Sequence, residues 1–437
     1  MGSANNSSQS GPPPKDQSPS SPLLPRPAGE VSWLGLPRFQ WSLALIGLCV
    51  FTFSVVTVRL PGAEAGVAIA VVGLILQRDK VRVPFPIWLY GAFVLWASVG
   101  SYVSPYSTDP LTQVLERLKL LVIMLIVVNA LRTEGQIRFY LLFFLACFVL
   151  SPVRGTLMGG DTIFGRARWN QIYSNPNDLA ALCVLALGMA LGLTYSEQPK
   201  ILVRLGGAIS AFLLLVVILL TQSRGAFIGL VAGFGPAMIW SALKRPGRML
   251  VSTAVLALVI GYTIPADVWE RLAGIEKMTS TSTIAEADPE GSAEQRFGIQ
   301  QAAWKIFLDN PVLGVGLGNY PLVNGLYAPQ LGPRDTHNTY LNLAAEVGLP
   351  GLMIWCALVW SVLRYAYRSR QQAVPGALAT QQSWVERALW GFLVAGMFGT
   401  YGARTFPYLI LAVLWCSATL LVAPLPASGN GARAAGR

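Results

Sequence analysis

His337 is the only histidine in this 437-residue sequence, and it lies where a polar loop meets an apolar helical pattern. Asp335, Thr336 and Asn338 beside it are residue types that cap helix starts, and apolar residues follow at helical spacing. The partial positive charge of a helix N-terminus opposes protonation, so we expect a neutral imidazole at pH 7. A neutral imidazole can accept a proton, which makes His337 a candidate general base. The position equally suits a polar histidine that only hydrogen-bonds the backbone.

Arginines are the second group with chemical potential. Guanidinium groups remain charged and bind phosphate bidentately, so several of them on one face predict a site for a lipid pyrophosphate. For any single arginine, an ion pair or a lipid-headgroup contact is the simpler interpretation. Arg224 differs, because the short Thr221-Gln-Ser-Arg-Gly225 turn directs it to the membrane surface, where Thr221 and Ser223 add donors. The arginines predicted on this outer face are Arg154, Arg166, Arg168, Arg224, Arg296, Arg334 and Arg404.

Composition predicts that these residues belong to a polytopic membrane protein. Hydrophobic residues make up 53% of the chain and charged residues 12%, which is too apolar for a soluble globular protein. The five cysteines all fall in apolar runs without CxxC spacing, so neither disulfides nor zinc sites are predicted. Lysines and arginines are spread over many short loops, which indicates membrane orientation and argues against a nucleic-acid partner.

The order of apolar runs predicts an all-α chain with about twelve transmembrane helices. The basic loops alternate along the chain, so the positive-inside rule places both termini in the cytoplasm. We divide the chain into a disordered tail over 1–37, spans 1–9 over 38–265, an outer loop domain over 266–337, spans 10–12 over 338–423 and a tail over 424–437. The predicted spans are 39–58, 62–77, 84–103, 111–131, 136–153, 175–194, 201–222, 225–243, 248–265, 338–366, 384–403 and 405–423.

The outer loop domain and the tenth span carry two further predictions. Ser292-Ala-Glu-Gln295 resembles a capping box that opens a helix ended by Asp309-Asn-Pro311, and this helix should lie against the membrane domain or along its surface. Arg296, in the first turn of this helix, would then be held at a fixed height above the bilayer. The tenth span is too long for one crossing, so Gly348-Leu-Pro-Gly351 predicts a break, and Glu346 beside it needs a partner or water.

Other chemistries find little support in the sequence. Asp288-Pro-Glu290 is a weak candidate for a metal site, and no other cluster has ligand spacing, so we expect no metal and no cofactor. Glu116, Arg117 and Lys119 at the start of the fourth span could line the cavity, although an internal ion pair is the simpler explanation. Gly314-Val-Gly-Leu-Gly318 lacks the strand and helix of a dinucleotide-binding loop, and no nucleophile elbow accompanies His337.

Three motifs together resemble the O-antigen ligase and polymerase superfamily, and within it the lipopolysaccharide O-antigen ligases. They are Thr221-Gln-Ser-Arg-Gly225, Arg296 leading to Asp309-Asn-Pro-Val-Leu-Gly-Val-Gly316, and Asp335-Thr-His-Asn-Thr-Tyr-Leu-Asn342 before Glu346-Val-Gly-Leu-Pro-Gly351. The resemblance covers roughly residues 200–360. It implies a GT-C-like, metal-independent, inverting glycosyltransferase of the bacterial inner membrane, with its active site on the periplasmic face.

The resemblance also implies substrates and residue roles. The donor would be a glycan on undecaprenyl pyrophosphate, and the acceptor would be the lipid A core. The family's key histidine falls on His337, and its two key arginines fall on Arg224 and Arg296. We add Arg154, Arg166 and Arg168 as pyrophosphate-binding candidates, and Asp335, Asn338, Glu346, Arg334 and Arg404 as possible supporting residues. A polysaccharide polymerase, a protein O-oligosaccharyltransferase and a transporter for lipid-linked glycans remain alternatives.

Overall fold

The computed structural model describes residues 40–57, 62–77, 80–163, 165–169, 175–196, 201–244, 247 and 292–422. Helices dominate these ranges. One two-stranded antiparallel hairpin, β1 (Thr162–Ile163) with β2 (Arg166–Ala167), was not predicted. The helices are α1 (Leu43–Thr57), α2 (Gly62–Leu76), α3 (Phe85–Val103), α4 (Pro110–Ala130), α5 (Glu134–Phe148), α6 (Pro176–Tyr195), α7 (Ile201–Leu220), α8 (Arg224–Lys244), α9 (Ser292–Asp309), α10 (Tyr320–Tyr327), α11 (Thr339–Gln372), α12 (Ala377–Ala395) and α13 (Thr405–Val422). A π-helical turn, Val149–Val153, and one further turn, Arg154–Leu157, extend α5.

Within the described ranges, six helices are long and apolar enough to cross a membrane, as expected of a membrane protein. Three shorter apolar helices, Leu43–Thr57, Gly62–Leu76 and Arg224–Trp240, accompany them. Each predicted span from the first to the eighth and from the tenth to the twelfth overlaps a helix. The eleventh is displaced: it was predicted over 384–403, whereas the helix is Ala377–Ala395 and residues 396–403 form a turn whose largely apolar composition extended the apolar run. The ninth, 248–265, lies outside the described residues, as does much of the predicted loop domain. The total of twelve spans therefore stays a prediction.

Small residues bring several helices into close contact. A Cβ added at Gly47 of α1 would collide with the α2 backbone at Ala70, and one added at Gly66 of α2 would collide with Phe51 of α1. The same tight fit joins Gly229 of α8 to Gly391 of α12. Close backbone approach provides the van der Waals packing that holds helices together in lipid. Helices α1 and α2, and helices α8 and α12, are therefore closely packed.

Helix α11 is broken at Gly348, where φ is 68° and ψ is −177°, so the predicted break is confirmed. The short helix before the break carries His337 at its start, and the long helix after it is the spanning part. The loop that follows α9 supplies hydrogen bonds to the backbone groups around the break. Leu349 N donates to Pro311 O (2.8 Å), Val315 N to Ala345 O (2.9 Å) and Gly316 N to Glu346 O (2.9 Å). Trp96 of α3 adds a hydrogen bond from its Nε1 to Val347 O (3.0 Å).

Glu346 has the partners that its burial requires. Its carboxylate accepts hydrogen bonds from the backbone N–H groups of Gly318 and Tyr320 and from Asn342 Nδ2, the last at 3.4 Å. The buried Arg117 of α4 is close enough to act on it electrostatically. Arg117 is therefore directed into the protein. Glu116 and Lys119 form the expected ion pair with each other within α4, at 2.6 Å on the exposed surface.

Gly348→Ala should destabilise the protein strongly. An alanine at φ 68° and ψ −177°, a region that is essentially restricted to glycine, costs about 1–3 kcal/mol from the backbone alone, and its Cβ would also collide with the Val312 carbonyl. Gly206→Ala in α7 is the matched control, because a Cβ there meets open space, and alanine should stabilise the helix by about 0.5–1 kcal/mol. Loss of helical circular dichroism on heating in detergent measures both changes. Equal midpoints for the two variants would contradict this account of the break.

Candidate functional site

His337 lies immediately before the N-cap of α11, as predicted. Asn338 is the cap, and its Oδ1 accepts hydrogen bonds from the backbone N–H groups of Tyr340 (3.0 Å) and Leu341 (3.1 Å). His337 itself has a φ of 50°, in the left-handed region that non-glycine residues rarely adopt. Gln222, in the Thr221–Gly225 turn, is the other non-glycine residue with positive φ in the described ranges. Strained backbone of this kind clusters at functional sites.

The environment of His337 favours the neutral imidazole. Burial lowers its pKa below 6.5, and the positive charge of Arg296 lowers it further. Asp335 opposes these effects by raising the pKa, and Arg334 adds a smaller lowering. The predicted direction is therefore confirmed, with burial as the largest cause. The result also shows that Arg296, 41 positions earlier in the chain, lies close enough to act on His337 electrostatically.

The start of α11 is bound to the loop between α12 and α13. The backbone N–H of Thr339 donates to Gly396 O (2.8 Å), and its Oγ1 donates to Gly399 O (2.7 Å). The same hydroxyl oxygen accepts a hydrogen bond from the backbone N–H of Tyr401 (2.9 Å). Thr339 is buried, so these bonds fix the loop beside the residue that follows the cap.

Tyr401 continues this connection to the predicted arginines. Its hydroxyl donates to Asn177 O (3.2 Å) at the start of α6, and Asn177 Oδ1 accepts from Arg166 Nη2 (2.7 Å). Arg166 Nε in turn donates to Thr221 O (2.9 Å), in the turn that precedes Arg224. One hydrogen-bonded series therefore runs from the His337 helix through Tyr401 and Arg166 to the Arg224 turn.

We call His337 and the residues joined to its helix through this series the His337 cluster: His337, Thr339, Tyr401, Asn177 and Arg166. The charges that act on Tyr401 identify further members of the His337 cluster. Burial and the charge of Asp178 raise the pKa of Tyr401, whereas Arg404, Arg296 and Arg166 lower it. Arg404 forms an ion pair with Asp178, which joins the start of α13 to the start of α6. Three of the predicted arginines are thus close enough to act electrostatically on one buried phenol, and Arg404 also has a structural role.

The Thr221–Gly225 turn places Gly225, the neighbour of Arg224, against the same loop. Arg224 is half-buried and begins α8, and a Cβ at the neighbouring Gly225 would collide with Phe398. The structure differs from prediction in the hydroxyl groups of the turn. Thr221 Oγ1 donates to Ile218 O (2.6 Å), and Ser223 Oγ accepts from Ala226 N (3.4 Å). These hydroxyls serve the turn itself, because the exposed backbone groups of a helix end need partners.

The other predicted site residues lie at the edge of the cluster or apart from it. Arg154 is exposed in the turn after α5, and Arg168 lies 3.9 Å from Asp161 in an ion pair. Arg334 and Asp335 are exposed beside His337. Glu346 lies next to the break in α11, where its carboxylate accepts a hydrogen bond from Asn342. In the ranges that the structure describes, no group of three or more His, Cys, Asp and Glu could hold a metal. Asp288-Pro-Glu290 falls outside those ranges.

Sequence reasoning missed Thr339, Tyr401 and Asn177. Each lies in a polar turn at a helix end: Asn175-Pro-Asn-Asp178, Asn338-Thr339, and Gly399-Thr-Tyr-Gly402. Such polar turns between apolar spans were the available signal. Most hydrogen bonds that connect these turns use a backbone carbonyl or a backbone N–H as one partner. Such contacts cannot be predicted from the types of the residues.

Thr339→Val should destabilise the junction, because a methyl replaces the hydroxyl and leaves the buried Gly399 carbonyl and Tyr401 N–H without their partner. Each unsatisfied buried group costs about 1–3 kcal/mol. Thr339→Ser keeps the hydroxyl and should retain most of the stability. Thermal unfolding in detergent compares the two, and equal losses would show that the hydroxyl does not hold the loop.

Nuclear magnetic resonance can measure the pKa of His337 directly, because ¹⁵N-histidine labelling of a protein purified without a polyhistidine tag gives one imidazole. We expect a midpoint below 6.5. Arg296→Gln should raise the midpoint by removing a positive charge, and Asp335→Asn should lower it by removing a negative one. Arg204→Gln, at an exposed arginine of α7, is the control and should change nothing. A wild-type midpoint above 6.5 would contradict the electrostatics of the site.

Comparison with known proteins identifies the segment that holds most of these residues. No curated protein gives a match to the chain. Residues 209–356 match the family model described as O-antigen ligase, and this range includes Arg224, Arg296 and His337. The resemblance drawn from the motifs is thereby confirmed over residues 209–356, which are similar to the O-antigen ligase family, in a chain with several helices apolar enough to cross a membrane.

Proposed function

We propose that this protein is an O-antigen ligase of the bacterial inner membrane. It transfers a polysaccharide from undecaprenyl pyrophosphate to a sugar hydroxyl of the lipid A core, on the periplasmic face. Both termini lie in the cytoplasm, and the chain carries about twelve spans with a periplasmic loop domain over 266–337. The family match to residues 209–356 supports the superfamily, and the geometry of the His337 cluster supports the chemistry.

The observation that carries the proposal is the placement of a neutral imidazole among arginines. His337 is half-buried, and the positive charge of Arg296 acts on it. Its helix is hydrogen-bonded through Thr339 to the loop of Tyr401, which reaches Arg166 through Asn177. A base for a hydroxyl and cations for a diphosphate are the two requirements of transfer from a lipid diphosphate.

His337 acts as the general base in this mechanism. Its unprotonated ring nitrogen takes the proton of the acceptor hydroxyl as the hydroxyl oxygen attacks the anomeric carbon of the donor. General base catalysis of this kind contributes roughly 10²–10⁴-fold. The new glycosidic bond forms on the face opposite the leaving group, so one displacement inverts the anomeric configuration.

The arginines stabilise the leaving group. The bond between the anomeric carbon and the phosphate oxygen breaks, and undecaprenyl pyrophosphate departs with additional negative charge. Arg224, Arg296 and Arg166 meet this charge in a water-poor site, where fixed cations act more strongly than in water. We assign Arg154 and Arg168 to binding the diphosphate as it approaches the site. The residues that support the site are Asp335, Asn338, Glu346, Arg334 and Arg404. No metal or cofactor enters this mechanism.

Reconstitution tests the proposal. The purified protein is placed in lipid vesicles with a lipid-linked glycan, a lipid A core acceptor and EDTA, and transfer appears as a gel shift of the acceptor. We expect His337→Ala to reduce transfer by roughly 10²–10⁴-fold. Arg224→Ala and Arg296→Ala should raise the donor KM, and the lysine variants should recover part of the loss because they restore the charge. Arg204→Ala should behave as wild type.

The products separate this proposal from its alternatives. A longer lipid-linked glycan would indicate a polymerase, and a glycosylated peptide would indicate a protein O-oligosaccharyltransferase. Movement of the donor between leaflets without any covalent product would indicate a transporter. A full acceptor shift with His337→Ala would remove the base from the mechanism while leaving the ligase assignment standing.

A further inference from the structure

Helix α9 has two apolar faces, and among the residues that the structure describes, protein covers only one of them. Ile299, Ala303 and Ile306 are buried and form a small core with Val315 and Tyr320, residues of the following loop and α10. The opposite face carries large apolar side chains at i, i+7 and i+11, a spacing that keeps them on one stripe. We call this stripe the apolar ridge: it consists of Phe297, Trp304 and Leu308, continued by Val312 after the helix end, and these four are 47–57% exposed.

The apolar ridge continues onto the outer surface of a membrane-spanning helix. The residue before Val312, Pro311, accepts a hydrogen bond from Leu349 N (2.8 Å) at the break of α11. Leu349, Met353 and Trp360 then follow at i, i+4 and i+11 along α11, and all are exposed. Because α11 is long and apolar enough to cross a membrane, exposed apolar residues on it face lipid. The ridge extends that lipid-facing surface.

The height of the ridge can be placed from the length of α11. Its part after Gly348 spans about 24 residues, or roughly 36 Å at 1.5 Å per residue, which suffices for a hydrocarbon core of about 30 Å. Leu349 therefore lies near the boundary of that core, and Pro311 and Val312 lie beside it. Helix α9 is not among the helices apolar enough to cross a membrane in the described ranges. A helix with one apolar stripe at this height has the character of an interfacial helix.

We propose that the apolar ridge docks into the lipid bilayer, at the boundary between headgroups and acyl chains on the His337 side. The bilayer itself is the partner. Trp304 suits this boundary, since its ring is apolar and its N–H can remain with the polar headgroups. Lys305, about 100° further around the helix, is exposed with its ammonium 5.8 Å from the centre of the Tyr327 ring, and we assign it to the aqueous flank.

Docking has a consequence that rests on the proposed function. Arg296 lies one residue before Phe297, in the first turns of α9, and its charge acts on His337. A helix embedded at the headgroup boundary holds Arg296 level with lipid phosphates. The diphosphate of a lipid-linked donor would therefore meet Arg296 without leaving the plane in which lipid phosphates lie.

Nitroxide labelling of the full chain tests the docking without any requirement for activity. In a Cys356→Ser background, which removes the exposed native thiol, single cysteines replace Trp304, Leu308 or Lys305 and carry a spin label. The protein is reconstituted in vesicles of phosphatidylethanolamine and phosphatidylglycerol. Oxygen, which concentrates in hydrocarbon, and a water-soluble nickel chelate serve as relaxation reagents.

We expect labels at 304 and 308 to collide more with oxygen than with nickel, and the label at 305 to show the reverse. Equal nickel access at 304, 308 and 305 would overturn the proposal by placing the ridge in water. Protection of 304 and 308 from both reagents would also overturn it, because another protein surface would then cover the ridge. Trp304→Cys and Leu308→Cys are independent, so one poorly folded variant leaves the test intact. Failure of the ligase assay would not alter these collisions.

Discussion

The structure depends on one constraint: backbone groups freed by a helix break in an apolar medium need other partners. Helix α11 breaks at Gly348, and the loop that follows α9 supplies the partners through Pro311, Val315 and Gly316. An unsatisfied group in such surroundings costs several kcal/mol, so the loop and the break stabilise each other. The short helix before the break is thereby fixed, and His337 lies immediately before its N-cap, Asn338.

A second set of contacts places the cations relative to that histidine. The Thr339 hydroxyl binds the loop of Tyr401, Tyr401 binds Asn177, and Asn177 binds Arg166. Arg404 and Asp178 join the same helix ends through an ion pair. Tyr401 donates a neutral hydrogen bond to Asn177, the Arg166 guanidinium donates to the Asn177 side chain and the Thr221 carbonyl, and Arg404 and Asp178 form an ion pair. A cluster of fixed cations beside a neutral base suits transfer from a diphosphate.

The sequence predicted the parts of this arrangement that depend on local pattern. Apolar runs predicted helices at eleven of the twelve span positions, because a helix is the form that satisfies its own backbone in lipid. Gly348-Leu-Pro-Gly351 predicted the break, since glycine and proline interrupt helices in definable ways. The lone histidine and the arginines were selected from residue type and motif, and their roles in a site stay a prediction. The π-helical turn at Val149–Val153 and the β1–β2 hairpin carried no comparable signal.

What the sequence could not predict depends on contacts between distant residues. Tyr401 and Asn177 are 224 positions apart, and their bond uses a backbone carbonyl that any residue could supply. The hydroxyls of Thr221 and Ser223 were expected to face a ligand, yet they bond within their own turn. The neutral imidazole was predicted from the helix end, whereas burial is its largest cause. Burial is a property of the assembled helices and is hard to read from the loop alone.

The central claim is that a neutral His337 takes the acceptor proton during transfer. The pH dependence of kcat/KM for glycan transfer tests it most directly, because its acidic limb reports the base of the free enzyme. The account predicts an acidic limb below pH 6.5 that coincides with the titration of the single imidazole and moves upward in Arg296→Gln. A rate that stays constant while that imidazole becomes protonated would contradict it.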